Sequence, residues 1–266
     1  MLIKYNLDDK GTGHIFFRNR LLHYEKSPFQ SIEISDLDIL GRVLVLDGII
    51  QLSRLDSARY HEALAHIPMS NLEAPQRALI LGGGDGVLIY ELLKYPDLTI
   101  DLVDIDQRVC DLSREYLTEL NHGALDSPRA NVYYRDALAF CRSCTERYDI
   151  IFADITDPHP DSPSNSLLGE DAIAVYKRLL RAGGILVAQT DNIQIAPQHA
   201  ANVADVFGRQ FQNVDRYGIV ALSLSSLFSF VWASDTISIA QKTISVPTEW
   251  LSEERFDLCL RILDLA

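Results

Sequence analysis

Long hydrophobic runs are absent from this 266-residue sequence. The most apolar stretch, IVALSLSSLFSFVWAS (219–234), is short and interrupted by serines, whereas a membrane-spanning helix needs about 20 apolar residues. That stretch therefore predicts buried sheet, with no membrane association. The opening, MLIKYNLDDKGTGH, is polar and acidic, unlike a secretory signal or a transit peptide. We therefore expect a cytoplasmic protein.

Basic residues are scarce relative to acidic ones. The chain carries 24 lysines and arginines against 37 aspartates and glutamates, a net charge of −13. This balance argues against a nucleic-acid partner, because phosphates need basic side chains. An acidic surface also keeps ordinary proteins in solution, so the charge alone does not assign a function. It is compatible with a cationic small-molecule substrate.

Cysteine is sparse as well, with four residues in the chain. Cys141 and Cys144 form a C-x-x-C pair, but no second pair or nearby histidine completes a zinc site. They follow DALAF, which predicts a helix, so both are expected to be small residues on one helical face. We predict no metal site and no redox role for them.

The N-terminal part of the chain predicts a small antiparallel β-domain. Short β-rich runs bounded by Gly, Asp and Ser are typical of hairpins. The runs are HIFFRNRLLHYEKS (14–27), FQSIEISDLD (29–38), GRVLVLDG (41–48) and IIQLS (49–53). A helix is expected next, over 56–69, with Asp56 as its N-cap. We place the domain boundary here, giving domains 1–55 and 56–266.

From residue 77 onwards apolar strands alternate with helical patterns. The strands are RALILG (77–82), TIDLVDI (99–105), NVYYRD (131–136), YDIIFAD (148–154) and GILVAQT (184–190). A further helix (197–211), a strand pair and an amphipathic helix (248–266) complete the chain. This alternation predicts an α/β fold, a Rossmann-like doubly wound parallel sheet with helices on both faces.

Acidic residues lie at or close to the carboxyl end of each predicted strand of this sheet, where ligands bind in such folds. They are Asp85, Asp104, Asp106, Asp136, Asp154, Asp157 and, close to Gln189, Asp191. Helices also begin at this edge, and aspartate is a favoured N-cap, so capping alone could explain Asp106 and Asp136. Capping does not easily explain Asp154 and Asp157, which lie together in the short loop DITDP.

The turn after the first strand indicates an adenosine ligand. Gly82, Gly84 and Gly86 form G-x-G-x-G, and Asp104, 18 residues after Gly86, is placed to bind ribose hydroxyls. A dinucleotide would bring its phosphates over this turn, where the carboxylate of Asp85 would repel them. The residues favour a sulfonium such as S-adenosylmethionine or its decarboxylated form, whose cationic arm Asp85 would attract.

The sequence resembles the spermidine synthase, or polyamine aminopropyltransferase, family from about Ser27 to Asn192. The segments that carry the resemblance occur in the family's order and spacing. They are SPFQSIEI, GRVLVLDGIIQLS, RYHEAL, LGGGDG, LVDID, DSPRANVYYRDAL, DITDP and VAQTDN. The resemblance implies a small β-domain followed by a class I methyltransferase-like catalytic domain, assembled as a homodimer or homotetramer.

The resemblance also implies roles for individual residues. Gln30 and His61 would line the nucleoside site, Asp104 would hold the ribose and Asp136 the adenine amino group. The ammonium group of the aminopropyl arm would bind Asp85. The attacking amine would be assisted by Tyr60 and Asp154 and positioned by Asp157. No prosthetic group is implied, and decarboxylated S-adenosylmethionine would be the co-substrate.

The chain departs from the family pattern on the acceptor side. The segment ALSLSSLFSF (221–230) stands where family members carry a PTYPSG-WGF-like run, so Ser223 and Ala221 replace a tyrosine and a proline. Val87 replaces a glycine, Ser57 a glutamate, and HPDSPSNS follows DITDP. His159, Asp161 and Asp191 are candidates for reshaping the pocket, or are ordinary loop residues.

Three functions fit these observations. The first is aminopropyl transfer to an amine, with putrescine as the expected acceptor and another amine as an open alternative. The second is methylation of an amine by S-adenosylmethionine, which Asp85 disfavours because the methionine carboxylate would lie close to it. The third is a catalytically silent relative that binds a nucleoside or a partner. The retained Tyr60, Asp154 and Asp157 weigh against this third function.

Overall fold

The computed structural model describes residues 1–6, 13–155, 166–239 and 243–265. Within these ranges the strands form a five-stranded sheet and a seven-stranded sheet. No helix of the described part is long and apolar enough to cross a membrane. The five-stranded sheet ends at Ser53 and the first helix begins at Ser57. The division into domains 1–55 and 56–266 stays a prediction.

The N-terminal sheet is antiparallel, and its strands pair in chain order. They are β1 (Leu2–Asn6), β2 (Gly13–Lys26), β3 (Ser31–Leu37), β4 (Gly41–Leu46) and β5 (Ile49–Ser53). The sequence did not predict β1. Alternate residues of a strand point to opposite faces. Ile32 and Ile34 of β3 accordingly lie on one face and pack against Val109 and Leu112. These two residues belong to a helix that follows a strand of the second sheet. The two sheets therefore share a hydrophobic interface.

The second sheet is mostly parallel. Its strands are β6 (Arg77–Gly82), β7 (Thr99–Asp104), β8 (Ala130–Tyr134), β9 (Tyr148–Asp154), β10 (Leu180–Asn192), β11 (Asn213–Ala221) and β12 (Ser226–Ser234). The order is β11-β12-β10-β9-β6-β7-β8, with β12 antiparallel to both β10 and β11. The strand order reverses between β6 and β9. Ligands bind at such a switch point, outside the carboxyl ends of the strands.

Helices cover both faces of this sheet, as predicted. They are α1 (Ser57–Met69), α2 (Val87–Leu92), α3 (Gln107–Tyr116), α4 (Thr118–Asn121), α5 (Ala137–Ser143), α6 (Glu170–Leu179), α7 (Pro197–Gln210) and α8 (Glu253–Arg261). Ile80 of β6 packs in one core with α1, α2 and α8, while its neighbours Leu79 and Leu81 pack with α5, α6 and α7. The predicted fold class is confirmed.

The C-terminal helix is shorter than the predicted span of 248–266. The backbone N–H groups of Glu249, Trp250 and Leu251 donate to the buried carboxylate of Glu62, at 2.5, 2.8 and 2.6 Å. These three residues precede the helix, which spans Glu253–Arg261. α8 begins only after Ser252, whose side chain accepts from the N–H of Arg255. A contact with α1, distant in sequence, sets this helix start.

Candidate active site

The glycine turn after β6 lies against two acidic residues. A Cβ on Gly82, whose φ is +82°, would be 2.2 Å from the carbonyl oxygen of Asp154. A Cβ on Gly84 would be 2.6 Å from Oδ2 of Asp104. Any larger residue would displace the turn from the strand ends. Glycine at these positions lets β7, β9 and the turn meet at one point.

Asp104 ends β7 beside this turn. Its Oδ1 accepts the N–H of Asp106 at 2.8 Å. Burial raises the pKa of Asp104 to about 6, and the negative charges of Asp106 and Asp85 act in the same direction. The carboxylate is held in place while its ionisation is disfavoured. A ligand that brings hydroxyl donors or positive charge would relieve that cost.

Gln30, in the connection between β2 and β3, contacts the residues beside Asp104. Its Nε2 donates to Oδ2 of Asp106 at 3.0 Å, and the hydroxyl of Ser27 donates to the same oxygen at 2.6 Å. The other oxygen of Asp106 accepts the N–H of Arg108 and so caps α3. Asp106 is thus both a helix cap and the point where Gln30 meets the Asp104 loop.

Asp85 stands within the turn, next to His61 of α1. Its Oδ1 accepts the N–H of Val87 at 2.7 Å, and burial raises its pKa to about 6. His61 Nε2 lies 3.8 Å from that oxygen. The Nδ1 of His61 donates to the carbonyl of Ser57 at 2.9 Å, and burial lowers the pKa of the ring. The lowered pKa favours the neutral form of the imidazole at neutral pH.

Asp154 ends β9 and is held by Tyr60 of α1. The Tyr60 hydroxyl donates to Oδ1 at 2.8 Å. The Oδ2 atom faces the glycine turn, 3.3 Å from where a Cβ on Gly83 would lie. Burial raises the pKa of Asp154 to about 6, and the charges of Asp85 and Asp104 add to the effect. A carboxylate with this pKa can accept a proton near neutral pH.

Aromatic residues of β12 fix Tyr60 in turn. Its ring lies 5.2 Å from that of Phe230 and 5.7 Å from that of Phe228, measured between centroids. Both phenylalanines are buried. β12 thereby sets the position of the hydroxyl that orients Asp154.

The remaining predicted aspartates are less closely connected to this group. Asp136 is exposed at the start of α5, where its Oδ1 accepts the N–H of Ala139 at 2.6 Å. It follows β8, whose residue Tyr134 pairs with Asp104. Asp157 lies outside the described residues, together with the predicted pocket residues His159 and Asp161. The capping expected of Asp106 and Asp136 is present, and the adenine role of Asp136 stays a prediction.

Asp56 occupies the predicted N-cap position of α1 but does not cap the helix through its side chain. Its buried carboxylate accepts the N–H of Ser223, at 2.8 Å. Ser223 belongs to the β11–β12 turn, Leu222–Ser225, inside the 221–230 segment that departs from the pattern of the resembled family. Only the folded chain brings these residues together, so local helix signals could not reveal the contact.

Gln189 joins the ends of β9 and β10. Its Nε2 donates to the carbonyl of Ile155 at 2.6 Å, and its Oε1 accepts the N–H of Asp191 at 3.1 Å. Asp191 has a φ of +81°, where β10 bulges between Gln189 and Asn192. The bulge therefore lies close to Ile155, the residue after Asp154. A direct role for Asp191 in the pocket stays a prediction.

The C-x-x-C cysteines lie away from this group. Cys141 is buried in α5 and Cys144 ends that helix, half-buried, with its Sγ 3.6 Å from the hydroxyl of Tyr148. Burial raises the pKa of Cys141 to about 12, which disfavours the reactive thiolate. Among the described residues no group of three or more His, Cys, Asp or Glu side chains could hold a metal ion.

Comparison with known proteins identifies the family. The model for the spermine/spermidine synthase domain matches residues 57–243, and the model for the spermidine synthase tetramerisation domain matches residues 5–54. The chain belongs to the spermine/spermidine synthase family. It is an enzyme of the polyamine aminopropyltransferase type, as the sequence resemblance predicted.

Relatives of this family match most of the chain. A polyamine aminopropyltransferase of Pectobacterium carotovorum is 34% identical over 231 residues, covering 86% of this chain and 80% of the relative. That of Aeropyrum pernix is 37% identical over 212 residues, covering 79% and 68%. A spermidine synthase solved with the transition-state analogue AdoDATO has a TM-score of 0.91 at 25% identity, covering 98% of this chain and 91% of that chain. The spermidine synthase of Thermotoga maritima gives 0.90 at 25% identity, covering 98% and 90%.

Proposed function

We propose that this protein transfers the aminopropyl group of decarboxylated S-adenosylmethionine to a primary amine, with putrescine as the expected acceptor. The products would then be spermidine and methylthioadenosine. The observation that carries the proposal is the group Asp85, Asp104 and Asp154, three half-buried carboxylates around one glycine turn, each with a raised pKa. The fold match to a spermidine synthase that binds AdoDATO supports it.

The carboxylates suit a donor with two positive charges. Asp104 would accept hydrogen bonds from the ribose hydroxyls, and Asp85 would bind the ammonium of the aminopropyl arm. Gln30 and His61 would line the nucleoside, and Asp136 would accept from the adenine amino group. A neutral His61 can lie beside the sulfonium without repelling it. The bound cations would lower the pKa values that burial has raised.

Asp154 would act on the acceptor amine. A primary amine has a reference pKa near 10.4, so its free base costs roughly 4–5 kcal/mol at neutral pH. The Oδ2 atom of Asp154 would take the ammonium proton while Tyr60 holds Oδ1. The nitrogen lone pair then forms a bond to the carbon beside the sulfonium. The carbon–sulfur bond breaks, its electron pair returns to sulfur, and neutral methylthioadenosine leaves. Asp157 would position the amine.

Two alternative functions remain tied to particular residues. Methyl transfer from S-adenosylmethionine is disfavoured because the methionine carboxylate would approach Asp85. A silent relative is suggested by the altered 221–230 segment, although the bond between Tyr60 and Asp154 is present. A changed acceptor pocket also leaves room for an amine other than putrescine.

The match to the tetramerisation domain supports an oligomer. On one face of the β1–β2 pair, Leu2, Ile15 and Phe17 are each more than half exposed. An exposed apolar strand face of this kind is typical of an interaction site. We propose that this face packs against a second copy of the chain. The cytoplasmic location stays a prediction.

Release of methylthioadenosine tests the proposed function. The protein is incubated with decarboxylated S-adenosylmethionine and putrescine, cadaverine, agmatine, spermidine or no amine, with S-adenosylmethionine in parallel. Release that depends on one amine supports the proposal and identifies the acceptor. Tight nucleoside binding without release for any amine would support the silent relative. Methylated amine formed from S-adenosylmethionine would support methyl transfer.

A further inference from the structure

The turn Leu222–Ser225 borders the proposed site. β10 ends at Asn192, which pairs with Phe228 of β12, and β11 and β12 join at this same end of the sheet. Ala188 of β10 pairs with Ala153, the residue before Asp154. The turn thus lies at the carboxyl edge, two strands from Asp154. Phe228 and Phe230, which follow it in β12, support Tyr60.

Two side chains outside the N-terminal sheet make hydrogen bonds to the backbone of the turn. Asp56 accepts the N–H of Ser223 at 2.8 Å. Asn192 donates through Nδ2 to the carbonyls of Leu224 and Ser225, at 3.0 and 2.8 Å. Both Asp56 and Asn192 are buried. These contacts fix the backbone within the turn.

A third contact comes from the N-terminal sheet. His14 of β2 lies with its Nε2 2.7 Å from the hydroxyl oxygen of Ser225, 211 positions later in the chain. The His14 ring packs on Phe16, with 5.5 Å between centroids. This bond joins the tetramerisation-domain segment to the acceptor side of the site.

Ser225 holds a backbone conformation that this contact helps to maintain. Its φ is +69°, in the left-handed region that non-glycine residues adopt at a cost. Such conformations persist where surrounding contacts determine them, and they occur often at functional sites. The hydroxyl of Ser225 meets His14, while its carbonyl meets Asn192. These two contacts hold Ser225 in a backbone conformation that glycine would adopt without strain.

We infer that the bond between His14 and Ser225 positions the turn Leu222–Ser225 for the acceptor amine. The inference rests on the proposed function, because it assumes that an amine binds at this edge. His14 is then a positioning residue that acts through Ser225 and affects the acceptor rather than the nucleoside donor. Through it the N-terminal sheet takes part in forming the site.

Steady-state kinetics test the inference. The variants are His14→Ala, Ser225→Ala, Ser225→Gly and the double variant His14→Ala with Ser225→Ala, each titrated with putrescine or with the amine that the unmodified protein uses. Each single change should raise the KM for the amine about fivefold, the effect of one lost hydrogen bond, and leave the donor KM within twofold. The double variant should be no worse than either single one, because both remove one bond.

Two comparisons separate positioning from general stability. Ser225→Gly relaxes the backbone, so its Tm should exceed that of Ser225→Ala while its amine KM is raised equally. His23→Ala, a matched change in the same strand that removes a contact to Glu25 instead, should leave the amine KM unchanged.

The outcomes distinguish the inference from the function on which it rests. An amine KM that follows Tm, or single effects that add in the double variant, would overturn the inference alone. Failure of the unmodified protein to transfer aminopropyl to any amine would overturn the proposed function, and the inference with it.

Discussion

Asp85, Asp104 and Asp154 each have an ordinary pKa of 3.8 that burial raises to about 6. The folded protein therefore holds these protons more tightly than the unfolded chain does. Its stability falls as pH rises from about 4 to about 6, and the whole penalty is present above that range. The substrate-free site is thus destabilising at neutral pH, and cationic ligands would remove the penalty.

Replacing Asp85 by Asn should stabilise the substrate-free protein. The amide oxygen still accepts the N–H of Val87, while the disfavoured charge is gone. We expect a gain of about 1–3 kcal/mol at pH 8 that shrinks towards pH 5, measured by urea unfolding at both pH values. Asp136→Asn, at an exposed position, is the control and should show no such gain. Equal gains from Asp85→Asn at both pH values would contradict the ionisation argument.

Asp154→Asn should nearly abolish aminopropyl transfer. The variant still accepts the Tyr60 hydrogen bond but can no longer take the amine proton, a loss of about 10²–10⁴-fold in kcat. Donor affinity, measured by calorimetry, should change by less than about threefold, which is a smaller change than the loss of one hydrogen bond would cause. Tyr60→Phe, which removes only the orienting hydroxyl, should lose less activity. Loss of donor binding in Asp154→Asn would show that the residue belongs to the donor site.

Among the secondary-structure elements, those defined by local sequence were predictable. The bounds of β6 and β9 agree with the prediction at both ends, because continuous apolar runs between turn residues are typical of buried parallel strands. The strand β1 was not predicted, because a polar run separates it in sequence from β2, the strand with which it pairs. The start of α8 was misplaced because it depends on Glu62, almost 190 residues earlier.

In the candidate site, too, residues marked by local sequence could be predicted, whereas contacts between distant residues could not. Asp85, Asp104 and Asp154 could be predicted because Asp104 and Asp154 end strands, Asp85 lies in the turn after one, and parallel strands end at one edge of a sheet. Tyr60 and His61 followed from the family resemblance alone. The contacts of Asp56 with Ser223 and of His14 with Ser225 join residues more than 160 positions apart. No local pattern marks such pairs, so sequence reasoning missed them.

Glu62 should be important for the packing of α8 on α1. Glu62→Ala would leave three backbone N–H groups without their acceptor in a buried place, which should cost about 3 kcal/mol or more in unfolding free energy. Glu62→Gln keeps one acceptor oxygen and should cost less. Urea unfolding gives both values. Ser252→Ala, which removes only the α8 cap, should cost about 1 kcal/mol. A loss for Glu62→Ala no greater than for Ser252→Ala would contradict this role.

At the scale of the whole molecule, the two sheets depend on each other. Ser27 and Gln30 of the N-terminal part bind Asp106, beside the proposed ribose site. His14 contacts Ser225 of the turn Leu222–Ser225, on the proposed acceptor side. Ile32 and Ile34 pack on α3. The N-terminal part therefore contacts both sides of the proposed site and also presents the apolar face proposed for assembly.

Phe17→Lys should break the oligomer. Phe17 is 53% exposed beside Leu2 and Ile15, and a charge in the middle of a buried apolar interface is strongly unfavourable. Sedimentation velocity should show a shift from oligomer to monomer. Leu258→Lys, at a 46% exposed position of α8 outside the tetramerisation match, should leave the oligomer intact. A Phe17→Lys protein that keeps its oligomeric state would place the interface on another surface. If the monomer forms and the amine KM rises while the donor KM holds, assembly itself supports the acceptor side, through the strand that carries both Phe17 and His14.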